Sequence, residues 1–339
     1  MKIGILGMGV VVTENYLPVL AAIGGMEFFY YNRTPEKARA AAQRYGGTVC
    51  TSVDELMAHR PDCIFHLTAE TVRYELAMAV LAHRPRRIFF EKPLSAVRGQ
   101  ANVREDDFHN GQMLLRRARE VGTETAMIFN YRYFAHAIAA RQIIAERKFG
   151  AVQTINCHVH YACWSHCIDL IGWLAGPIET VTALTGDTEH GWRGTTAVDI
   201  AAAFKTSGHA TGTILGSQSG SFDFPLFDLT VAFEHGRINL RCLDDRMEVW
   251  DHRGGCQEVH TVPANFSRWD HYKATFAKSI NAYIASVRAQ TPPPIPGVAG
   301  LVELQFEAAL RSSAALRRPV NLASEFPIDA ALLKATATR

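Results

Sequence analysis

The sequence predicts an α/β protein in which a doubly wound parallel sheet is followed by an α+β domain with an open, mostly antiparallel sheet. Short apolar runs alternate with helical patterns up to about residue 124, and a glycine-rich turn stands between the first strand and the first helix. After residue 125 the pattern changes to a series of strands. At roughly 150 residues per domain a chain of 339 residues has about two domains, so we divide it into residues 1–124 and 125–339.

The N-terminal part alternates strands with helices, which is typical of βαβ units and a parallel sheet. We predict strands at Lys2–Leu6, Glu27–Tyr31, Cys63–Thr68 and Ile88–Phe90, and helices at Thr13–Ile23, Pro35–Tyr45 and Thr71–Ala82. Ligands of such sheets lie at the carboxyl ends of the strands.

The C-terminal part predicts a different arrangement. A helix over 134–146 leads to the strand Val152–Tyr161, whose apolar residues alternate with polar ones, and then to a short helix over Cys167–Leu174. Turn signals at 234–237 and 251–255 indicate a meander of strands over 180–262. Two helices, near 270–289 and 298–316, close the chain on either side of the breaker at 291–294.

Composition excludes several classes of function. The chain has 35 Lys and Arg against 33 Asp and Glu, so it lacks the basic excess of nucleic-acid-binding proteins, and no apolar stretch reaches the roughly 18–20 residues that cross a bilayer. Glu14 and Asn15 end the apolar N-terminal run at once, which argues against a signal peptide. Seven cysteines, an odd number, suit a reducing compartment. We therefore expect a cytoplasmic protein without nucleic-acid or membrane partners.

A glycine-rich turn, Gly4-Ile5-Leu6-Gly7-Met8-Gly9, ends the first predicted strand and opens the first helix. Gly7 permits the tight turn, and Gly9 lets the backbone approach a pyrophosphate at the helix N-terminus. Val12 stands where the third glycine of this motif is expected. An ordinary turn is the alternative, but the position between a strand and a helix favours a dinucleotide site.

The end of the second strand bears on the choice of cofactor. It carries Asn32, Arg33 and Thr34, whereas an NAD site usually presents an acidic side chain there. Asn32 does not repel a 2′-phosphate, and Arg33 can pair with one. The pattern favours NADP(H) over NAD(H), with a solvated arginine as the alternative.

Glu91-Lys92-Pro93 follows the strand Ile88–Phe90 directly. A lysine at the carboxyl end of a parallel strand faces the cofactor crevice, where its ammonium could donate to a substrate oxygen. Without further context, a lysine before a proline is more often a loop residue.

A group of potential metal ligands lies further along the chain. Alternate residues of a strand face opposite sides, so Cys157 and His158 cannot converge on one ion, and no C-x-x-C pair occurs. We expect no metal site from the group Cys157, His158, His160, Cys163, His166 and Cys167.

Several segments, in order along almost the whole chain, resemble the Gfo/Idh/MocA oxidoreductases. They are Gly7-Met8-Gly9, Tyr16-Leu17-Pro18-Val19-Leu20, Glu91-Lys92-Pro93, Asn130-Tyr131-Arg132, His166-Cys167-Ile168-Asp169-Leu170, Leu174-Ala175-Gly176 and Arg318-Pro319-Val320. The resemblance implies a Rossmann domain and a C-terminal α/β domain whose open sheet forms oligomer interfaces. It also implies hydride transfer between NAD(P) and a sugar, cyclitol or related carbonyl compound.

The catalytic set of that family is the E-K-P lysine with an aspartate and a histidine spaced D-x-x-x-H. Lys92 and His166 match, but Ala162 stands at the aspartate position, and a structural role for His166 is the alternative. A tyrosine donor, Tyr133, could supply the proton instead. Other candidates are the proton donors His160 and Tyr161, the pocket residues Tyr131 and Arg132, and Asp169 as a structural residue.

These observations together predict an NADP(H)-dependent oxidoreductase acting on a sugar, cyclitol or related ketone or imine, with Lys92 as proton donor or relay. The alternatives are a redox-neutral lyase or epimerase and a cofactor-binding sensor without turnover. Besides the small-molecule substrate, the expected partner is a second or further copy of the chain, in a homodimer or homotetramer. The catalytic candidates are Lys92, His166 and Tyr133, and the cofactor candidates are Gly7, Met8, Gly9, Val10, Val11, Asn32, Arg33, Thr34, Thr68, Glu91 and Lys92.

Overall fold

The computed structural model describes residues 1–192, 195–219, 225–263 and 265–334. Its N-terminal part is a six-stranded sheet in the order β3-β2-β1-β4-β5-β6, with every neighbouring pair parallel. The strands are β1 (Lys2–Leu6), β2 (Glu27–Tyr31), β3 (Thr48–Cys50), β4 (Cys63–His66), β5 (Arg87–Phe90) and β6 (Glu124–Met127). The helices are α1 (Leu17–Ile23), α2 (Pro35–Tyr45), α3 (Val53–Ala58), α4 (Glu70–Ala82) and α5 (Glu105–Glu120).

The strand order of this sheet creates the crevice in which ligands of doubly wound folds bind. The chain moves outward from β1 to β2 and β3, then returns to the other side of β1 to form β4. Loops leaving the carboxyl ends of β1 and β4 therefore diverge, and the turn at Gly7–Gly9 lies at this point. The predicted N-terminal fold is confirmed.

Several details differ from the predicted elements, and the helices α3 and α5 were not predicted at all. The first helix begins with wide π-type turns over Val12–Tyr16 before α1, next to Pro18, which has no N–H to continue regular helical bonding. The strand β3 has only three residues, too few to give a periodic pattern. The strand β6 crosses the predicted boundary after residue 124 and pairs with β5, so the first sheet ends at Met127; the boundary itself stays a prediction.

The C-terminal part contains a sheet of nine strands among the described residues, in the order β14-β13-β12-β11-β7-β10-β9-β8-β15. Only the pair β7 and β10 is parallel, which confirms a mostly antiparallel sheet. The strands are β7 (Val152–His160), β8 (Ile178–Trp192), β9 (Thr195–Thr206), β10 (Thr211–Ser217), β11 (Phe227–Phe233), β12 (Gly236–Arg241), β13 (Arg246–Asp251), β14 (Cys256–Thr261) and β15 (Val320–Asn321). The helices are α6 (Ala135–Glu146), α7 (Trp164–Ala175), α8 (Arg268–Ala289), α9 (Val298–Leu316), α10 (Leu322–Glu325) and α11 (Ala330–Lys334).

The helix α7 begins three residues earlier than predicted, because a short 3-10 turn over Tyr161–Cys163 carries the chain straight from β7 into it. The alternation predicted for β7 is confirmed: Ile155, Cys157 and Val159 are buried, while the polar residues between them are exposed. His166 therefore lies in the first turn of a buried helix, directly after the strand at the centre of the second sheet.

Two helices from the end of the chain join the domains. Helix α8 covers one face of the first sheet, where the ring of Tyr283 packs on Phe65 and Phe89 and Phe276 packs on Tyr16. Helix α9 packs against α5 and β8. Across the described part of the chain, no helix is both long and apolar enough to cross a membrane.

Candidate active site

The turn after β1 has the geometry that a phosphate-binding loop requires. Gly7 has φ +92°, and a Cβ there would lie 2.7 Å from the backbone oxygen of Leu67, so no other residue fits. A Cβ on Gly9 would meet nothing within 4 Å, so the space before the helix N-terminus is open. The first amides of a helix have no acceptor within it and attract anions. The loop fits the pyrophosphate of a dinucleotide.

Asn32 holds this turn from the neighbouring strand. Its Oδ1 accepts a hydrogen bond from the amide of Met8 at 2.9 Å, and its Nδ2 donates to the carbonyl of Thr34 at 2.8 Å. Arg33 is exposed beside it, and Val10, at the far side of the loop, is 69% exposed despite being apolar. Val11 and Thr34 are also exposed. The structure thus places these predicted cofactor residues around one open edge of the crevice.

Arg73, which the sequence did not single out, ties the ends of β4 and β5 together. Its guanidinium is buried and donates to the carbonyl of Thr68 at 2.6 Å and to the carbonyl of Pro93. Burial, and then the charge of Arg73, lower the pKa of His66 to about 3, so this ring is neutral. The only feature of the sequence that could have indicated this role of Arg73 is its position as a lone arginine in the first turn of the apolar helix α4.

Glu91 and Lys92 take up different positions after β5. The carboxylate of Glu91 accepts from the hydroxyl of Tyr16 at 2.9 Å and from the backbone amide of Lys92 at 2.7 Å. The ammonium of Lys92 donates to Oε1 of Gln100 at 2.8 Å and to the carbonyl of Ala162 at 3.4 Å. Lys92 thus contacts both domains.

His166 lies close to Lys92 in the first turn of α7 and is 4% exposed. Burial, and then the positive charge of Lys92, hold the pKa of His166 well below its usual value, so the imidazole is neutral. Its ring stacks on Tyr131 with the centroids 4.0 Å apart and the planes at 13°, and the Tyr131 hydroxyl donates to Sγ of Cys163 at 3.0 Å. Nδ1 of His166 has no hydrogen-bond partner among the described residues.

Tyr133, the predicted tyrosine donor, lies in a different place. It lines a small cleft together with Phe89 and Tyr283 of the face that α8 covers, and its backbone carbonyl accepts from Lys278 at 3.2 Å. The structure brings Tyr131, two residues earlier, to His166 instead. Both tyrosines belong to the same short 3-10 turn, Asn130–Tyr133, but they point to different sides of it. No sequence pattern distinguishes them.

The remaining candidates near α7 have structural partners. Asp169 forms a buried ion pair with Arg132, with oxygen–nitrogen distances of 2.7 and 2.5 Å. The Tyr161 hydroxyl donates to the carbonyl of Val198 at 2.7 Å, and Nδ1 of His160 accepts from the amide of Ala162 at 3.1 Å. No group of three or more His, Cys, Asp or Glu in the described ranges is arranged to hold a metal ion.

The crevice and its open glycine turn are typical of a Rossmann-type dinucleotide-binding domain. Residues 1–107 match the family model described as the Gfo/Idh/MocA oxidoreductase family, NAD-binding Rossmann fold. This match covers the N-terminal domain and agrees there with the resemblance found in the sequence.

Solved structures share the fold over nearly the whole chain. The WlbA dehydrogenase from Bordetella pertussis, solved with NADH and UDP-GlcNAcA, is 19% identical with a TM-score of 0.78, covering 95% of this chain and 97% of its own. An oxidoreductase from Agrobacterium radiobacter, solved with NAD+, L-tartaric acid and magnesium, is 14% identical with a TM-score of 0.79, covering 96% and 99%. A levoglucosan dehydrogenase solved with NADH and levoglucosan is 14% identical with a TM-score of 0.78, covering 95% and 99%. No curated protein sequence matches this chain.

Proposed function

We propose that this chain is an NADP(H)-dependent oxidoreductase that transfers a hydride to or from a sugar, cyclitol or related ketone or imine. The observation that carries the proposal is the position of Lys92, whose ammonium lies at the carboxyl end of β5 beside a buried, neutral His166. A bound nicotinamide supplies or accepts the hydride at its C4 atom. The residues of the chain bind, orient and exchange a proton with the reacting oxygen or nitrogen.

The open edge of the crevice supports NADP(H). Asn32 already uses its carbonyl oxygen to hold the amide of Met8, and it carries no charge against a 2′-phosphate. Arg33 is exposed next to it and can pair with that phosphate. Because the neighbouring structures contain NADH or NAD+, the preference needs a direct comparison.

Lys92 has the properties of a proton donor or relay. It is partly buried and anchored by two oxygens, from Gln100 and Ala162, which leaves a third N–H direction for a substrate atom. The charge of Lys92 helps to keep the buried His166 neutral, and Nδ1 of His166 has no hydrogen-bond partner among the described residues. The stacked ring of Tyr131 fixes the orientation of the imidazole. We propose the substrate class by analogy with the fold neighbours solved with a UDP-sugar and with levoglucosan.

Fluorescence titration of the full chain with NADPH and NADH tests the choice of cofactor. We expect NADPH to bind at least about tenfold more tightly, equivalent to about 1.4 kcal/mol. Tighter binding of NADH would contradict the argument from Asn32 and Arg33.

A panel of sugars, cyclitols, ketones and imines, followed by nicotinamide absorbance, tests turnover. Lys92→Met should abolish turnover while leaving NADPH affinity nearly unchanged, since its ammonium contacts Gln100 and Ala162 rather than the glycine turn. Unchanged turnover would remove Lys92 from the mechanism. Many turnovers without net change in NADP(H) would indicate the lyase or epimerase, and binding without any turnover the sensor.

We also propose that the chain forms a homodimer or homotetramer through the second sheet. The face of β7 that carries Thr154, Asn156 and His158 is exposed in the single chain. Light scattering after gel filtration measures the mass in solution. A monomer at micromolar concentration would contradict this assembly.

A further inference from the structure

Gln100 lies in the segment 93–103, between β5 and α5. Its backbone amide donates to Oε1 of Glu70, in the first turn of α4, at 3.3 Å. Four apolar residues of the segment are 3% exposed or less and attach it to the core; they are Leu94, Ala96, Ala101 and Val103. Burial and a hydrogen bond thus fix the backbone that carries the Gln100 side chain.

The two residues after Gln100 bind the second domain. The carbonyl of Ala101 accepts a hydrogen bond from the buried guanidinium of Arg311, on α9, at 2.6 Å. The side-chain amide of Asn102 donates to the carbonyl of Thr196, on β9, at 2.8 Å. The first domain therefore holds the amide of Gln100 and the second domain holds its next two neighbours, so this residue has a fixed place at the junction of the domains.

The side chain of Gln100 reaches the ammonium of Lys92. Its Oε1 accepts from Nζ at 2.8 Å, whereas the carbonyl of Ala162 accepts from the same nitrogen at 3.4 Å. Hydrogen bonds from nitrogen to oxygen are commonly about 2.7–3.2 Å long, so the bond to Gln100 is the stronger of the two. An ammonium can only donate, so this contact requires the oxygen and not the nitrogen of the side-chain amide.

Both partners of the Lys92 ammonium are neutral oxygens, and within the described ranges Lys92 forms no ion pair with a carboxylate. An adjacent carboxylate holds an amine strongly in its charged form, whereas a neutral amide mainly orients it. The stem of a lysine is a flexible chain of four carbons, so an ammonium without a partner samples many positions. Gln100 therefore supplies direction without supplying an opposite charge.

We propose that Gln100 is the positioning residue of Lys92: its neutral amide holds the ammonium at the carboxyl end of β5 and leaves its proton free to transfer. This inference rests on the proposed hydride-transfer function, in which Lys92 exchanges a proton with the substrate. Gln100 acts through Lys92 and needs no contact with the substrate itself. Because reacting groups must be closely aligned, losing this contact should lower turnover by about 100-fold.

Titratable side chains of both domains lie around this contact. Glu91 precedes Lys92 and accepts from the Tyr16 hydroxyl, and Glu70 accepts from the amide of Gln100. The ammonium of Lys92 also interacts electrostatically with three buried groups of the second domain, which are Cys163, His166 and Glu303. All of these groups are the same in every variant of residue 100, so a difference between the variants reports that residue.

Acetic anhydride labelling of the full chain over a series of pH values, read by peptide mass spectrometry, measures how much of the Lys92 amine is neutral. Gln100→Glu keeps the acceptor and the side-chain length but adds a charge, so the pH midpoint of Lys92 labelling should rise by about one unit or more. Gln100→Met keeps the length and removes the acceptor, so the midpoint should fall. Gln257→Met, at an exposed glutamine on β14, is the matched control and should leave it unchanged.

Equal labelling midpoints in the unsubstituted chain, Gln100→Glu and Gln100→Met overturn the contact. The labelling needs neither cofactor nor substrate, so its failure is distinguishable from failure of the proposed function, which the NADPH titration and the turnover panel decide. If Gln100→Met does not fold, Gln100→Glu still tests the contact, since it adds almost no volume to a half-buried side chain.

Turnover on a substrate from the panel tests the role of the contact. Gln100→Met should lower kcat by about 100-fold with little change in KM. Gln100→Glu should recover most of kcat, with its pH profile shifted upward in step with the labelling midpoint. Unchanged kcat in Gln100→Met overturns the positioning role, and so does an unshifted pH profile in Gln100→Glu. Absence of turnover on the whole panel overturns the function on which the inference rests.

Discussion

Substituting the two glycines of the turn after β1 with alanine should separate folding from cofactor binding. Gly7 has φ +92°, and an added Cβ would lie 2.7 Å from both the carbonyl oxygen of Leu67 and the amide nitrogen of Thr68. Both of these are backbone atoms that cannot rotate away. Gly9 has an ordinary φ and nothing within 4 Å of an added Cβ. The two substitutions therefore add the same methyl group to very different surroundings.

For Gly7→Ala the left-handed backbone costs about 1–2 kcal/mol. The clash with the backbone after β4 adds to this, so we expect a loss of more than about 2 kcal/mol in the free energy of unfolding. For Gly9→Ala we expect no loss of stability beyond about 0.5 kcal/mol. Its methyl group occupies the space that a pyrophosphate needs, so NADPH affinity should fall at least about tenfold.

The assay pairs chemical unfolding, followed by tryptophan fluorescence, with NADPH titration of each variant. Unchanged stability of Gly7→Ala would show that the turn is not held against the β4 loop. Unchanged NADPH affinity of Gly9→Ala would show that the phosphates do not approach this turn, and the dinucleotide assignment of the crevice would then be wrong.

Three further substitutions follow from individual contacts. Asn32→Asp keeps an acceptor for the amide of Met8 but adds a charge, so titrations should show NADPH binding at least about tenfold weaker and NADH binding nearly unchanged; equal losses would argue against a 2′-phosphate there. Arg132→Met leaves the buried Asp169 carboxylate unpaired and should cost about 3–5 kcal/mol in denaturant unfolding, most of it recovered by adding Asp169→Leu; no recovery would mean that the charge is not the cause. The pKa of His66 is lowered to about 3, so the unfolded state binds more protons below about pH 6.5 and stability falls as the pH drops from there towards 3, by about 1.4 kcal/mol per unit; in His66→Gln this part of the acid sensitivity, measured by unfolding at pH values between these limits, should disappear.

Part of the first domain could be predicted from the sequence, because several of its strands and helices have a clear hydrophobic pattern. The strand Glu27–Tyr31 and the helix Pro35–Tyr45 have the bounds that the pattern predicts. The strand β6 begins with exposed and half-buried polar residues, and only its pairing with β5 identifies it. Such elements owe their conformation to a neighbouring strand, which one-dimensional periodicity does not contain.

The candidate site was predictable where chemistry follows a strand and unpredictable where it depends on packing across domains. Lys92 follows β5, so its place at the crevice could be inferred from the strand pattern. Gln100 lies in a segment without periodicity, and Tyr131 and Tyr133 differ only in which side of a short turn they occupy.

The replacement of the expected aspartate by Ala162 is compatible with an ordered lysine because of how Lys92 is held. One of its anchors is a side chain of its own domain, Gln100, and the other is the backbone carbonyl of residue 162, which any residue supplies. The hydrogen bond from Lys92 to residue 162 of the second domain therefore does not depend on which side chain stands at that position. Nδ1 of His166 has no hydrogen bond to the described residues, so no side chain among them orients the imidazole through this atom.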